Sequence, residues 1–266
     1  MYETTYHRPS SVDEAAALFA EGSESKYLAG GHTLIPVMKQ RLASPSDVID
    51  LSRIKDLIGV EVSADAVTIK AATTHYDVAA SGAVKKTIPA LAHLASLIGD
   101  PAVRYRGTIG GSIANNDPAA DYPAAVLALG ATIKTNKRSI AADDFFKGLF
   151  STALADGEII TQVSFPIAAK AGYSKMPHPA SRFALTGVFV VKTKSGDVRV
   201  AATGASSSGV MRVPAIESAL KANWAASAFD SVNISADGLL TDIHGSSTYR
   251  ANLIKVMAQR AVTAAG

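Results

Sequence analysis

Two glycine pairs carry the most chemical meaning in this sequence: Ala29-Gly30-Gly31-His32-Thr33 and Thr108-Ile109-Gly110-Gly111-Ser112. Each is followed, at once or one position later, by a hydroxyl side chain. Consecutive glycines lack Cβ atoms, so several backbone N–H groups can turn into one concavity that a ligand approaches closely. A diphosphate brings negative charge and many acceptor oxygens, and two such nests with hydroxyl donors would clamp it from both sides. Each pair taken alone suits a plain tight turn equally well; two of matching pattern in one chain say more. The common nucleotide fingerprints are absent. No G-x-G-x-x-G opens a helix with an acidic residue about 20 positions on, and no G-x-x-x-x-G-K-[ST] occurs. A Ser/His/Asp set at a recognisable spacing, an H-E-x-x-H motif and a histidine ligand cluster are likewise missing.

The chain has 266 residues, 48% of them hydrophobic and 18% charged, and no cysteine. That length fits one large domain or two modest ones, each able to close its own core. The low charged fraction argues strongly against intrinsic disorder. Without cysteine, disulfides, thiolate zinc sites, cysteine nucleophiles and iron–sulfur clusters held by this chain alone are excluded. Redox chemistry would have to use a bound organic cofactor or a metal with nitrogen and oxygen ligands. No apolar run reaches the roughly 20 residues of a membrane helix. The opening residues Met1 to His7 lack the basic and apolar regions of a signal peptide, so a cytoplasmic location is expected. The net charge of +3 is scattered. Its densest group, Lys134, Lys137 and Arg138, reads as a solvated hairpin, which argues against a nucleic-acid partner.

The elements that must position the glycine pairs are short. Ser11-Val12-Asp13-Glu14 has the form of a capping box, with Glu14 reaching back to the cap amide, and opens a helix to about Ala20. Lys26 to Ala29 reads as a strand running into the first pair, and Leu34 to Arg41 as a helix leaving it. Asp47–Leu51, Leu57–Val62 and Ala66–Ala72 are strand candidates. Helices are expected from Thr74 and over Ile88–Ile98, the latter ended by Gly99. Residues 99–122, which contain the second pair, read as a long irregular stretch, and such loops are more often functional than idle. Pro123–Leu129 then reads as a helix, and Thr132–Thr135 and Glu158–Phe165 as strands. The small residues Ile167–Gly172 suggest a linker into a second unit. That unit has strands at Phe183–Thr193 and Asp197–Thr203 and helices near Pro214–Ala222 and Thr248–Ala264. Strands first and helices later indicate an α+β fold rather than a parallel doubly wound sheet.

The first pair with its continuation, Leu28 to Lys39, resembles the first FAD-diphosphate loop of the molybdenum hydroxylase flavoprotein subunits. The second, Arg106 to Ala114 followed by Asn116-Asp117-Pro118-Ala119-Ala120-Asp121-Tyr122-Pro123, resembles the second. These are the medium subunits of the carbon monoxide, xanthine and aldehyde dehydrogenase group. The resemblance extends through Glu158-Ile159-Ile160 and Pro177 to Phe183 as far as Tyr249-Arg250-Ala251-Asn252-Leu253, nearly the whole chain. It implies a p-cresol-methylhydroxylase-type FAD domain over residues 1–167, with two subdomains meeting near residue 56, and a smaller C-terminal α+β domain over 168–266. It implies that Ala29, Gly30, Gly31, His32, Thr33, Thr108, Ile109, Gly110, Gly111 and Ser112 wrap the diphosphate. Asp121 would contact the ribityl and diphosphate part, Ile160 would line the adenine or isoalloxazine region, and Lys175 would stand near the flavin ring.

Each transferred role has a plainer rival. Asp121 also suits the cap of the helix after it, Asp117 before Pro118 a turn, Lys175 the surface and Phe183 a core strand position. His32 is expected to pack beside its loop, with FAD held non-covalently. Arg104 and Arg106 receive no chemical role. The function implied is an electron-transfer subunit with no catalytic residue of its own and no metal. Iron–sulfur clusters would sit on a small partner and molybdopterin on a large one, in a dimer of heterotrimers that passes electrons through FAD to an external acceptor. The complex would be cytoplasmic, with the inner face of the membrane reached through partners as the other placement. A self-sufficient small flavin oxidoreductase and a non-redox nucleotide-binding module are the competing readings.

Overall fold

A computed structural model describes all of residues 1–266. Three sheets follow one another along the chain. The first is a parallel three-stranded sheet in the order β1 (Thr5–His7), β3 (Asp47–Asp50), β2 (Lys26–Leu28). The second has five strands in the order β4 (Val60–Val62), β5 (Ala66–Lys70), β10 (Ile160–Pro166), β6 (Thr132–Thr135), β7 (Ser139–Ala141). The third has four in the order β11 (Lys170–Pro177), β12 (Ala184–Lys192), β13 (Val198–Thr203), β14 (Met211–Arg212). A small hairpin, β8 (Phe146–Gly148) and β9 (Ser151–Thr152), completes the strands.

Helices α1 (Val12–Glu21) and α2 (Leu34–Lys39) belong with the first sheet. The run α3 (His75–Ala80), α4 (Gly82–Thr87), α5 (Pro89–Ser96), α6 (Pro101–Arg106), α7 (Ile109–Asn115), α8 (Tyr122–Leu129) and α9 (Ala142–Phe145) lies between strands of the second. Helices α10 (Pro214–Ala222) and α11 (Ser247–Ala265) follow the third. Every residue of α8 is buried, because it is covered on two sides. Its core joins Val67, Ile133 and Val163 of the second sheet to Tyr173, Phe189 and Ala201 of the third. The other face of the third sheet packs on α11 around Val188, Val200, Ile254 and Met257. Arg250 on α11 is buried, donating to the carbonyls of Leu185 (2.6 Å) and Gly204 (2.7 Å) and to Asp242 (2.7 Å), which explains its place in the closing motif.

Several local expectations are corrected. Ser11 caps α1 by accepting from the Glu14 amide, but the Glu14 carboxylate takes the amide and hydroxyl of Ser10, both at 2.7 Å, one residue earlier than a capping box predicts. The helix expected at 88–98 is α5, but a separate α4 that the sequence reading does not mark precedes it: Pro89 lacks an N–H and keeps Ile88 out of helical geometry, which divides the two. Residues 99–122 are mostly helical rather than irregular. Asp100 caps α6, accepting from Val103 N at 2.8 Å, and Thr108 caps α7, accepting from Gly111 N at 3.1 Å. The supposed linker Ile167–Gly172 runs straight into β11. Its small residues are required by packing, since a Cβ on Gly172 would overlap the Ala261 carbonyl of α11.

The first turn of α7 lies directly on β5. The Gly110 amide donates to the Ala71 carbonyl at 2.8 Å, and a Cβ on Gly110 would stand 2.6 Å from the Ala71 Cβ. Gly110 is therefore a packing glycine, and its replacement acts on the fold. Gly110→Ala is expected to lower the unfolding free energy by about 1–3 kcal/mol, as overpacking does, measured by urea denaturation. Gly111→Ala, whose nearest neighbour is the Thr108 hydroxyl at 3.0 Å, should cost clearly less.

Candidate functional site

Loop 29–33 leaves the end of β2 and meets the peptide between α6 and α7. A Cβ on Gly30 would overlap the Arg106 carbonyl oxygen and stand 2.7 Å from the Gly107 Cα, so only glycine allows this crossing. Gly31 has φ +77°, in the left-handed region, which turns the chain into α2. A cleft of about 620 Å³ opens beside the crossing, within the size range of small-molecule and cofactor sites. Ala29 to Thr33, Thr108, Gly110, Gly111, Ser112, Asp121 and Ile160 all line it, so the structure gathers most of the sequence-predicted set. Ile109 does not line the cleft, because its side chain is fully buried in the core. Lys175 does not line it either.

The two loops differ in what they offer. The amides of Ala29, Gly30, Gly31, His32 and Thr33 make no hydrogen bond within the chain. In the second loop only the Thr108 amide is likewise unpaired; Ile109 donates to Thr73 O at 3.2 Å, Gly110 to Ala71 O, Gly111 to the Thr108 hydroxyl and Ser112 to Thr108 O at 3.0 Å. The expected two-sided clamp of amides thus becomes a lopsided one, with five unpaired amides on the first loop and one on the second. The second loop contributes the Ser112 side chain, cleft shape and the start of α7. Unpaired N–H groups turned into a concavity attract an anion.

Hydrogen bonds sort the rest of the cleft into two ends. At one, the Tyr27 hydroxyl donates to Gly157 O at 3.1 Å, which brings Leu51, Leu57, Ile159 and Ile160 together as an apolar wall. Glu158 lies behind it with its carboxylate buried. It accepts from Thr135 Oγ1 (2.6 Å), Arg138 Nε and Nη2 (both 3.0 Å) and the Ala155 amide (2.8 Å). The Arg138 hydrogen bonds outweigh burial and, with Thr135 and Ala155, hold the Glu158 carboxyl down at about 2.

At the other end Lys175 makes the junction. Its ammonium donates to Leu97 O (2.8 Å), Arg182 O (2.9 Å) and the Asp121 carboxylate (2.9 Å), which uses all three of its protons inside the protein. Lys175 is therefore neither the surface lysine of one sequence reading nor free to reach a ligand, as in the other. Asp121 also accepts from the Tyr173 hydroxyl at 2.6 Å. It stands at the start of α8 but makes no side-chain cap bond, so the capping alternative is overturned. Burial pushes its carboxyl upward, opposed by the Lys175 charge and the Tyr173 hydroxyl. The turn that supplies Arg182 also sets Phe183 at the cleft edge, 49% exposed, instead of in the core strand expected for it. Asp117 does form the predicted turn, accepting from the Ala119 amide at 2.9 Å. Arg104 donates to the carbonyls of Ile98 and Gly99 rather than to a carboxylate.

Tyr27, Glu158 and His75 were not singled out from the sequence, although each lines the cleft. Only Glu158 lay within a quoted motif. His75 directly follows the cap Thr74, and nothing in the spacing marks it. The resulting site combines an apolar wall, a run of unpaired amides and an end formed by the buried Asp121 carboxylate and Phe183, a lining suited to an elongated ligand with flat parts and an anionic part.

Two outcomes test these electrostatics. Lys175→Met strands a buried carboxylate and should destabilise the fold by about 3–5 kcal/mol. Adding Asp121→Asn should recover much of that in urea unfolding. Glu158 has a folded pKa below its unfolded value, so its stabilisation is full above about pH 5 and is lost as pH falls towards 2. Melting temperature against pH should therefore fall more steeply below pH 5 in the unaltered protein than in Glu158→Gln.

Residues 2–168 match the family described as the FAD binding domain in molybdopterin dehydrogenase. The carbon monoxide dehydrogenase medium chain of Hydrogenophaga pseudoflava is 35% identical over 280 residues, covering 98% of this chain and 96% of its own. The nicotine 6-hydroxylase medium subunit of Paenarthrobacter nicotinovorans is 35% identical over 274 residues, with the same coverage. Among solved structures, reconstituted CO dehydrogenase from Oligotropha carboxidovorans superposes with a TM-score of 0.90 at 32% identity, over 99% of this chain and 97% of that one. Sequence, fold and cleft agree: the chain belongs to the FAD-binding medium subunits of the molybdenum hydroxylase-type dehydrogenases.

Proposed function

We propose that the chain holds FAD non-covalently along this cleft and serves as the electron-exit subunit of a larger complex. The observation that carries the reading is the row of unpaired amides from Ala29 to Thr33 in a cleft with a largely apolar lining. The diphosphate would lie on those amides with Ser112 opposite. The adenine would lie at the Tyr27–Ile159–Ile160 end, and the isoalloxazine at the Ile98–Asp121–Phe183 end. FAD supplies the redox chemistry, exchanging electrons with one centre and then another. The protein's part is to bind, orient and exclude water. Asp121, fixed by Lys175 and Tyr173, accepts hydrogen bonds from ribityl hydroxyls, and Phe183 covers the ring. Lys175 acts only through Asp121. His32, exposed at the loop tip, is a neighbour of the diphosphate and not an attachment point.

No acid–base pair is built beside the isoalloxazine end, where Asp121 is committed to Lys175. This favours electron transfer over substrate turnover by the chain itself. With no cysteine in the sequence, iron–sulfur clusters would reside on a small partner and molybdopterin on a large one, as a dimer of heterotrimers. The named relatives act on carbon monoxide and on nicotine, which fits a substrate chosen on the large subunit. No helix is long and apolar enough to cross a membrane, and we place the complex in the cytoplasm, with any contact with the membrane's inner face made by its partners.

Native purification followed by an absorption spectrum and identification of associated chains tests this. A flavin spectrum together with iron–sulfur and molybdopterin subunits is the expected result. A lone flavin-bearing chain that oxidises a small substrate, or a colourless chain that cannot be reconstituted with FAD, would overturn it. Within the chain, Gly30→Ala forces the two loops apart and should reduce the flavin-to-protein ratio at least tenfold while far-ultraviolet circular dichroism is kept.

A further inference from the structure

His75 is only 5% exposed, yet its Nδ1 has no hydrogen-bond partner in the chain, and its Nε2 makes no bond there either. The ring is held in place from both sides. Its own amide donates to Gly107 O at 2.9 Å, the Thr74 hydroxyl caps its helix, and the Tyr122 ring packs 5.4 Å away. Nε2 lies against Gly107, only 2.6 Å from where a Cβ there would stand. Gly107 is the residue on which Gly30 crosses, so this nitrogen sits at the meeting point of the two loops, on the cleft wall.

Burial, with the charges of His32 and Arg104 nearby, pushes the imidazole down to about 3, so it is neutral at physiological pH. A neutral imidazole has one N–H and one lone pair. A buried orphan N–H is rarer than an under-satisfied acceptor, which puts the proton on Nε2 and leaves Nδ1 as the buried lone pair. That tautomer presents one uncharged donor beside the second loop, where the amides of Ile109 to Ser112 are engaged by Thr73, Ala71 and Thr108.

We infer that His75 is a cofactor-holding residue whose Nε2–H donates to an oxygen of the bound diphosphate, and that Gly107 lacks a side chain to admit its ring. The inference rests on the FAD reading above and adds a donor from beneath the loop crossing.

The full chain, stripped of flavin, is titrated with FAD, ADP and riboflavin. His75→Leu should weaken FAD and ADP binding by roughly ten- to a hundredfold, the range for one hydrogen bond to a charged group, and leave riboflavin unchanged. The unfolding midpoint of the flavin-free chain should stay level or rise, because an unpartnered buried polar group is gone. His75→Gln, which keeps a donor, should restore most of the affinity. Undiminished FAD and ADP affinity in His75→Leu overturns the assignment. Should that variant fail to fold, the histidine ¹⁵N spectrum of the unaltered chain decides. The Nε2 resonance of His75 moves on saturation with FAD or ADP if the inference is right, and a stationary resonance refutes it. Failure of the underlying reading looks different, since the unaltered chain would then take up no FAD, which sinks both.

Discussion

The backbone of loop 29–33 passes the peptide joining Arg106 to Gly107 with no space for a side chain between them, and the cleft exists because of that contact. The first loop is carried by the parallel sheet built from residues 5–50. The second is carried by helices that rest on the five-stranded sheet. Two separately built units are thus brought to backbone contact at one point, and the groove on either side of it is the site. Glycine serves two ends here. At Gly30, Gly107 and Gly110 the missing Cβ lets protein meet protein. The amides left facing outward, on Ala29 to Thr33, are those the close packing does not consume.

Lys175 supplies the second constraint. It comes from the third sheet, yet its ammonium gathers Leu97 from the α5–α6 connection, Asp121 from the start of α8 and Arg182 from the turn before β12. A lysine whose three protons bond two carbonyls and a carboxylate fixes three chain segments at once. The Tyr173 hydroxyl pins the remaining side of Asp121. The C-terminal sheet therefore contributes to the site by positioning a carboxylate and an aromatic at one end, without placing its own charge in the cleft. The all-buried helix α8 transmits that anchoring, because the cores of the second and third sheets are continuous across it.

Much of this was legible in the residues. Strand β6 was read to the residue, α10 likewise, and the first glycine loop was placed between a short strand and a short helix. What escaped reading has physical causes. Residues 99–122 looked irregular because Gly110 and Gly111 are poor helix formers; Thr108 and its cap bond, together with packing on Ala71, override that propensity. Strand β11 was hidden because Ala171 and Gly172 have the composition of a linker, and only the close approach of α11 explains their size. The plainer readings of Lys175 and Phe183, as surface and core residues, fail in opposite directions. A lysine reads as surface and a phenylalanine as core, but Leu97, Asp121 and Arg182 bury the Lys175 ammonium, and the turn that supplies Arg182 leaves Phe183 half exposed.

The difference between the loops also bears on how the ligand is held. If both glycine pairs gave free amides, the cleft would be a symmetrical anion trap with little reason to prefer one dinucleotide orientation. With most of the free amides on the first loop, a bound diphosphate would be drawn towards that wall. On the proposed reading, discrimination would then fall to groups that are not glycines: Ser112, the neutral His75 and the buried Asp121. None of these presents an uncompensated positive charge to the ligand. A diphosphate bound by dipoles and neutral donors keeps much of its own negative charge, and its affinity depends on pre-positioned geometry more than on long-range attraction. This accounts for the extent to which the chain fixes the crossing point rigidly, by backbone contact at Gly30 and Gly107 and by the engaged amides of Ile109 to Ser112. In a site of this kind the second loop contributes by being immobile.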